Sequence, residues 1–336
     1  MRQRPVMAAV GTVALAVVLA GCARGGLAPR GPEAERILDV TEILVIAGGA
    51  VALLVVATWV VAVRRPGRGD DLDAGRDELD PDPVERGLVL GGGIVLPGVV
   101  LTGLFVLGVW TMSRPPPTGD LVVEVVAHQF WWEVTYRQVP GVEPFATANE
   151  IHVPTDTDVD FRLRSEDVIH SFFVPQLAGK VDMVPGRVTS LTLSADQPGV
   201  YEGACAEFCG MQHARMRMRI VAQEPDDFAA WADGQTRPAQ APEGPEEVRG
   251  REVFLARSCV GCHTIRGVAE EGDVGPDLTH LATRDEIAAG TLPLDESNLR
   301  AWIDNAQSIK GGARMPPQDL PDEELDALVA YLLGLG

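Results

Sequence analysis

Three kinds of hydrophobic pattern follow one another along the chain. Apolar runs at residues 6–19, 43–63 and 88–112 are unbroken by charge. From 121 to about 222 apolar and polar residues alternate with period two, as in Val159, Phe161 and Leu163 set between Asp158, Asp160, Arg162 and Arg164. That spacing predicts strands, and Pro-Gly pairs at 140–141, 185–186 and 198–199 mark turns between them. Beyond 246 the apolar positions return at helical spacing, over 248–258, 295–305 and 322–333. The chain is therefore read as multidomain: a two-helix transmembrane hairpin, an all-β antiparallel Greek-key sandwich and an all-α domain.

The first apolar run is too short to cross a bilayer, which takes about 20 residues. It follows Arg2 and Arg4 and ends in Leu19-Ala-Gly-Cys22, so residues 1–21 read as an export signal. Those last four residues resemble the lipobox of bacterial lipoproteins, which implies lipidation of Cys22; a buried Cys in an uncleaved anchor is the alternative. Residues 22–37 would be an exported segment and 38–113 the hairpin. Arg64, Arg65, Arg68 and Arg86 place the loop between the two long runs inside, and everything after about 113 outside. Glycines at 91–93 and Pro97 should loosen the second helix, a feature tolerated where neighbouring helices cover it. Composition removes one class of function: the formal charge is −20 and Lys occurs only at 180 and 310, which excludes a nucleic-acid binder.

The alternating region holds Cys205-Ala-Glu-Phe-Cys209-Gly-Met-Gln-His213-Ala-Arg-Met216, with His170 upstream. Two thiolates, two imidazoles and a thioether form a soft donor set suited to copper. One Cys, two His and Met would hold a single copper; the second Cys lets two thiolates bridge two coppers, with one His for each. A Cys205–Cys209 disulfide, and Met216 as an ordinary strand residue, are the structural alternatives.

At these residues the sequence resembles subunit II of the haem-copper cytochrome c oxidases, in which a two-helix anchor precedes a cupredoxin domain with a binuclear CuA centre. The resemblance covers residues 38 to about 222 and implies that Cys205 and Cys209 bridge the coppers, with His170, His213 and Met216 as terminal ligands. It further implies that Glu207 ligates copper through its carbonyl, and that its side chain reaches a magnesium site shared with subunit I. Ala127-His-Gln-Phe130-Trp131-Trp132 resembles the family's aromatic segment where electrons arrive, although many members have Trp in place of Phe130. Lys180-Val-Asp182 and Pro185-Gly-Arg187 match family segments that face subunit I. Residues 87–96 lack the acid that family members often carry there, so no proton-uptake role is assigned.

Residues 119–223 are thus the expected CuA domain, and 224–245, rich in Pro, Ala, Gly, Gln and acids, a linker permitting many orientations. Residues 246–336 contain Cys259-Val-Gly-Cys262-His263, the pattern for covalent haem c, in which His263 becomes an axial ligand. A redox-active disulfide is the alternative. Met315, in Lys310-Gly-Gly-Ala-Arg-Met315-Pro, is favoured as the second axial ligand because Met/His ligation raises the haem potential. His280 is the rival, but 275–280 resembles a non-ligating segment of class I cytochromes c.

A CuA domain fused to cytochrome c resembles subunit II of caa-type terminal oxidases. That resemblance implies an electron-transfer subunit of a proton-translocating cytochrome c oxidase in the bacterial inner membrane, multi-pass, with both redox domains on the periplasmic face. Its partners would be subunits I and III, membrane lipid and a donor such as a quinol:cytochrome c reductase or cytochrome c. Electrons would pass from haem c to CuA and on to subunit I, and the oxygen-reducing site would lie off this chain. A membrane-anchored electron carrier or copper-delivery protein without an oxidase partner is the alternative.

Overall fold

The computed structural model describes residues 25, 27–64, 83–113 and 119–336. Cys22 and the export signal lie outside the described residues, as does most of the loop between the apolar helices. The chain divides into a unit of Met1–Val40 with Pro117–Gly336, and a second of Thr41–Pro116.

The long helix Pro32–Arg64, which runs from the first unit into the second, and the helical stretch Leu88–Thr111 of the second are long and apolar enough to cross a bilayer, with mean hydropathies of 2.6 and 2.2. The later stretch begins as π-helix over Leu88–Val95, where Leu96 N–H donates back five residues to Gly91 O, and continues as α-helix over Leu96–Met112. The three glycines tolerate the wider turn, and Pro97 has no N–H with which to restore the α register.

Within the first unit, residues 27–40 bond to the sandwich. Arg30 N–H donates to Gln176 O at 2.7 Å and Asp196 N–H to Arg30 O at 2.9 Å. Helix already begins at Pro32, and Ala34 is buried.

The sandwich has ten strands in two five-stranded sheets. One sheet runs β3-β2-β1-β5-β8 and the other β4-β10-β9-β6-β7. Their ranges are β1 Leu121–His128, β2 Trp131–Gln138, β3 Phe145–Ala148, β4 Glu150–Pro154 and β5 Val159–Ser165, then β6 His170–Phe173, β7 Val181–Met183, β8 Thr189–Leu193, β9 Gly199–Cys205 and β10 Arg217–Gln223. Alternation places Val159, Phe161 and Leu163 inside, and Arg162 and Arg164 outside. The expectation of purely antiparallel pairing is corrected: β1 with β5 and β4 with β10 are parallel. In both cases the chain crosses to the other sheet before returning, so the strands meet in the same sense. Trp132, Tyr136, Phe161 and Phe172 fill the core.

The expected linker is structured too. Pro225–Gln235 is a helix whose Phe228 and Ala232 join the sandwich core, while Trp231 stacks on His152 at 4.1 Å. Its aromatic pair sits three residues apart on one helical face, so a segment with little apolar content still anchors itself. The residues that follow are pinned rather than loose: Ala239 N–H donates to Arg266 O at 3.0 Å, and Arg266 Nη1 to Gln235 O at 2.9 Å. These bonds and the helix before them connect the two domains.

The C-terminal domain is built on helices Pro245–Ala256, Glu296–Ile309 and Asp322–Leu333, with Phe254, Leu299, Ile303 and Leu328 in its core. Asp295 caps the second of these through Asn298 N–H at 2.8 Å. The first and third cross at Gly250, where any Cβ would run into Ala327 O. Across the domain seam Arg217 N–H donates to Ala289 O at 3.1 Å, and Arg219 pairs with Asp285 and Glu286.

Candidate metal centre and cofactor cavity

β6 presents His170, β9 ends in Cys205, and the loop to β10 carries Cys209, His213 and Met216. Ligand atoms of His170, Cys205 and Cys209 all lie within 4.8 Å of one another. Cys205 Sγ is 3.7 Å from His170 Nδ1 and 3.1 Å from Glu207 O, while Cys209 Sγ is 3.8 Å from both His213 Nδ1 and Met216 Sδ. Each sulfur thus has its own imidazole, and neither Cys is in a disulfide. Met216 stands just before β10 and is fully buried, which corrects its reading as an ordinary strand residue.

Electrostatics favour a metal-ready form. Donation from Cys209 is the main force holding Cys205 as a thiolate, with a pKa lowered to about 3; burial opposes this and His170 assists. The same shared proton pushes Cys209 upward. Burial disfavours charge on His170, but Cys205 and Asp167 outweigh it and raise its pKa. Asp167 Oδ1 is 2.8 Å from His170 Nε2, which leaves Nδ1 facing the sulfurs. Two sulfurs, two Nδ1 atoms, a thioether and a carbonyl form a soft, buried set, and its chemistry fits a copper pair.

The loop is held from one side by the aromatic segment. Gln129 Nε2 donates to Cys209 O at 2.6 Å, and Gly210, at φ +127°, has no room for a Cβ against Gln129 and Phe130. Trp132 is fully buried and meets His170 edge-on at 6.2 Å. Trp131 instead stacks on His128 at 4.6 Å. Glu207 leaves its carboxylate half exposed, 3.7 Å from Lys180 Nζ.

The second site is an apolar cavity in the C-terminal domain, lined by Cys259, Cys262, His263 and Met315. His263 Nδ1–H donates to Pro276 O at 2.8 Å, which fixes the tautomer and leaves Nε2 as the acceptor for a metal. Burial and Arg284 lower the His263 pKa and keep the ring neutral. Arg284 also lines the cavity, and its Nε is buried without a hydrogen-bond partner. An apolar slot with two thiols, one imidazole, one thioether and an unanswered guanidinium N–H fits a haem bearing carboxylates. His280 does not line this cavity, and its Nε2 bonds to Arg237 O at 3.1 Å.

Gln129, Phe130 and Trp131 of the sandwich line the same cavity. Phe130 touches both the cavity and Gly210 of the copper loop, Trp131 lines the cavity, and Trp132 belongs to the core beside His170. Reading the sequence missed Asp167, Gln129, Arg284 and Lys310. The acid three residues before His170 and the second of only two lysines were the available signals.

Fold and sites together define a membrane-anchored redox protein that joins a cupredoxin-like domain to a c-type cytochrome. Residues 139–224 match the family model "Cytochrome C oxidase subunit II, periplasmic domain", and 247–336 match "Cytochrome c". Cytochrome c oxidase subunit 2 of Alkalihalophilus pseudofirmus is 35% identical over 319 residues, covering 92% of this chain and 90% of that one. Its counterpart in Bacillus subtilis is 31% identical, covering 64% of this chain and 62% of that one. The solved periplasmic domain of subunit II of cytochrome oxidase from Bradyrhizobium japonicum is 28% identical, covering 36% of this chain and 96% of that one at a TM-score of 0.34. The chain belongs to the cytochrome c oxidase subunit 2 family, in the form with a fused C-terminal cytochrome c domain. Membership implies haem c, CuA copper, a periplasmic domain on a membrane protein, and partnership with subunit I of a haem-copper oxidase.

Proposed function

We propose that this subunit relays electrons between a donor and subunit I. Cys205, Cys209, His170, His213, Met216 and the Glu207 carbonyl would hold the copper pair. Cys259 and Cys262 would attach haem c, and His263 and Met315 would hold its iron. When bound, the two groups each take up and release one electron, which supplies the current for oxygen reduction and proton pumping in the partner. The chain's own residues set the conditions: Asp167 orients His170, Pro276 O orients His263, and the apolar cavity excludes water. Phe130 touches both the cavity and the copper loop, and Trp131 lines the cavity. Trp132, fully buried, lies beside His170.

The multi-pass hairpin, subunit III, the upstream donor, a Glu207 magnesium site and a lipidated Cys22 belong to the same reading. The observation that carries it is the convergence of both donor sets on one seam, with the aromatic segment as their shared wall. The test is metal analysis and electron paramagnetic resonance on the full chain purified with its partner from membranes. The expected result is three coppers per haem c, two on this chain and one in the copper-bearing partner, and a copper signal split by two equivalent nuclei. A single-copper signal, or Cys205 disulfide-bonded to Cys209, would overturn the copper assignment.

A further inference from the structure

Lys310 begins the glycine loop that leads to Met315, yet its side chain leaves its own domain. It is 2% exposed, and its Nζ donates to Phe130 O at 2.9 Å, Arg215 O at 2.8 Å and Ala288 O at 2.7 Å. Two of those carbonyls belong to the sandwich and one to the cytochrome domain. An ammonium has three N–H groups and no acceptor, so three carbonyls satisfy it completely. Burial and the Arg215 guanidinium pull its pKa down to about 7, and the three carbonyls are what hold the ammonium in place.

The two sandwich carbonyls occupy telling places. Phe130 follows Gln129, which holds the Cys209 carbonyl, and Arg215 precedes Met216. We propose that Lys310 is a buried latch that fixes the cytochrome domain on the copper domain, a positioning residue that keeps the haem cavity against Phe130 and Trp131. This rests on the electron-relay reading given above. Neighbouring contacts follow the same line: Gln212 Nε2 donates to Gly311 O at 2.8 Å, Arg215 Nη1 donates to Ile309 O, and Arg314 lies 3.6 Å from Asp167. The rim ion pairs are solvent-accessible and screened by salt, whereas the Lys310 bonds are not. A dock held by Lys310 should therefore survive salt that would dissolve one held by its rim. Replacing the ammonium by an apolar side chain leaves the buried Phe130 and Arg215 carbonyls unpaired, a larger loss than the bonds alone.

The experiment compares the full chain with Lys310→Met, reading hydrogen exchange at the seam amides of Arg217 and Asp285, and haem-to-copper transfer after a reducing flash. Expected in Lys310→Met are at least tenfold faster exchange at those amides and at least tenfold slower transfer, with haem and copper contents unchanged. In the unsubstituted protein the transfer rate should stay within twofold between 0.05 and 1 M salt, which keeps the idea testable where the variant fails to fold. Unchanged seam exchange in Lys310→Met, or a steep fall with salt in the unsubstituted protein, overturns the latch. Exchange needs neither metal, so failure of the relay reading would show as missing copper or haem and remain distinct from failure of the latch.

Discussion

Gly275 is where the geometry makes its sharpest demand. A Cβ at this position would lie 2.6 Å from His263 Cε1, 2.9 Å from Nδ1 and 3.1 Å from Nε2. Ordinary contact begins near 3.4 Å, so the imidazole must retreat by about 0.8 Å in Gly275→Ala. It cannot do so and keep the 2.8 Å bond from Nδ1 to Pro276 O. Losing that bond costs about 1 kcal/mol and the overpacking about 1–3 kcal/mol more. For a domain of this size, about 2–4 kcal/mol corresponds to a fall in Tm of roughly 10–25 °C. The assay is thermal unfolding of the holoprotein followed in haem absorption, with the iron ligands read by magnetic circular dichroism. The expected result is a lowered midpoint together with altered His ligation. An unchanged midpoint with unchanged ligation would refute the claim that Gly275 exists to seat His263.

Other consequences are equally direct. Gly250→Ala forces apart two helices whose backbones touch, and should destabilise the cytochrome domain by about 3 kcal/mol in denaturant titration while leaving the sandwich transition in place. Cys209→Ser removes one of the two sulfurs proposed to hold the copper pair, so copper per chain should fall from two to one or none, with loss of the split resonance signal; a retained pair would contradict the assignment. In Glu150, burial pushes the pKa up, but bonds from His152 and the Asp285 N–H hold it below the usual carboxylate range. The folded protein thus binds this proton less readily than the unfolded chain, and the stabilisation is present above the ordinary carboxylate pKa and lost as pH falls below it. Unfolding midpoints measured from pH 6 down to pH 3 should fall more gently in Glu150→Gln than in the unsubstituted protein, and parallel curves would refute the coupling.

What could be read from the sequence was whatever depends on neighbours along the chain. Cys259-Val-Gly-Cys262-His263 and the Cys205–Met216 loop place their donors within a few residues, and the apolar runs announce the two long helices without tertiary information. The parallel pairing of β1 with β5 was not legible, because alternation fixes which face of a strand is buried but not the sense of its neighbour. The helix Pro225–Gln235 was masked by acids and alanines, although Phe228 and Trp231 carry its anchoring face. Lys310 was the hardest to read: a lysine in a glycine loop looks solvent-exposed, and only its meeting with Phe130 O and Arg215 O, contributed by remote segments, makes burial tolerable.

The cavity wall shared by two domains carries an implication for biogenesis. Cys259 and Cys262 face a chamber whose far side is Gln129, Phe130 and Trp131. A chain with that chamber already shut would offer its thiols poorly to the machinery that attaches the porphyrin. Docking would narrow the approach to Cys259 and Cys262 from the side of Gln129, Phe130 and Trp131, so attachment to the undocked domain is the order this wall favours.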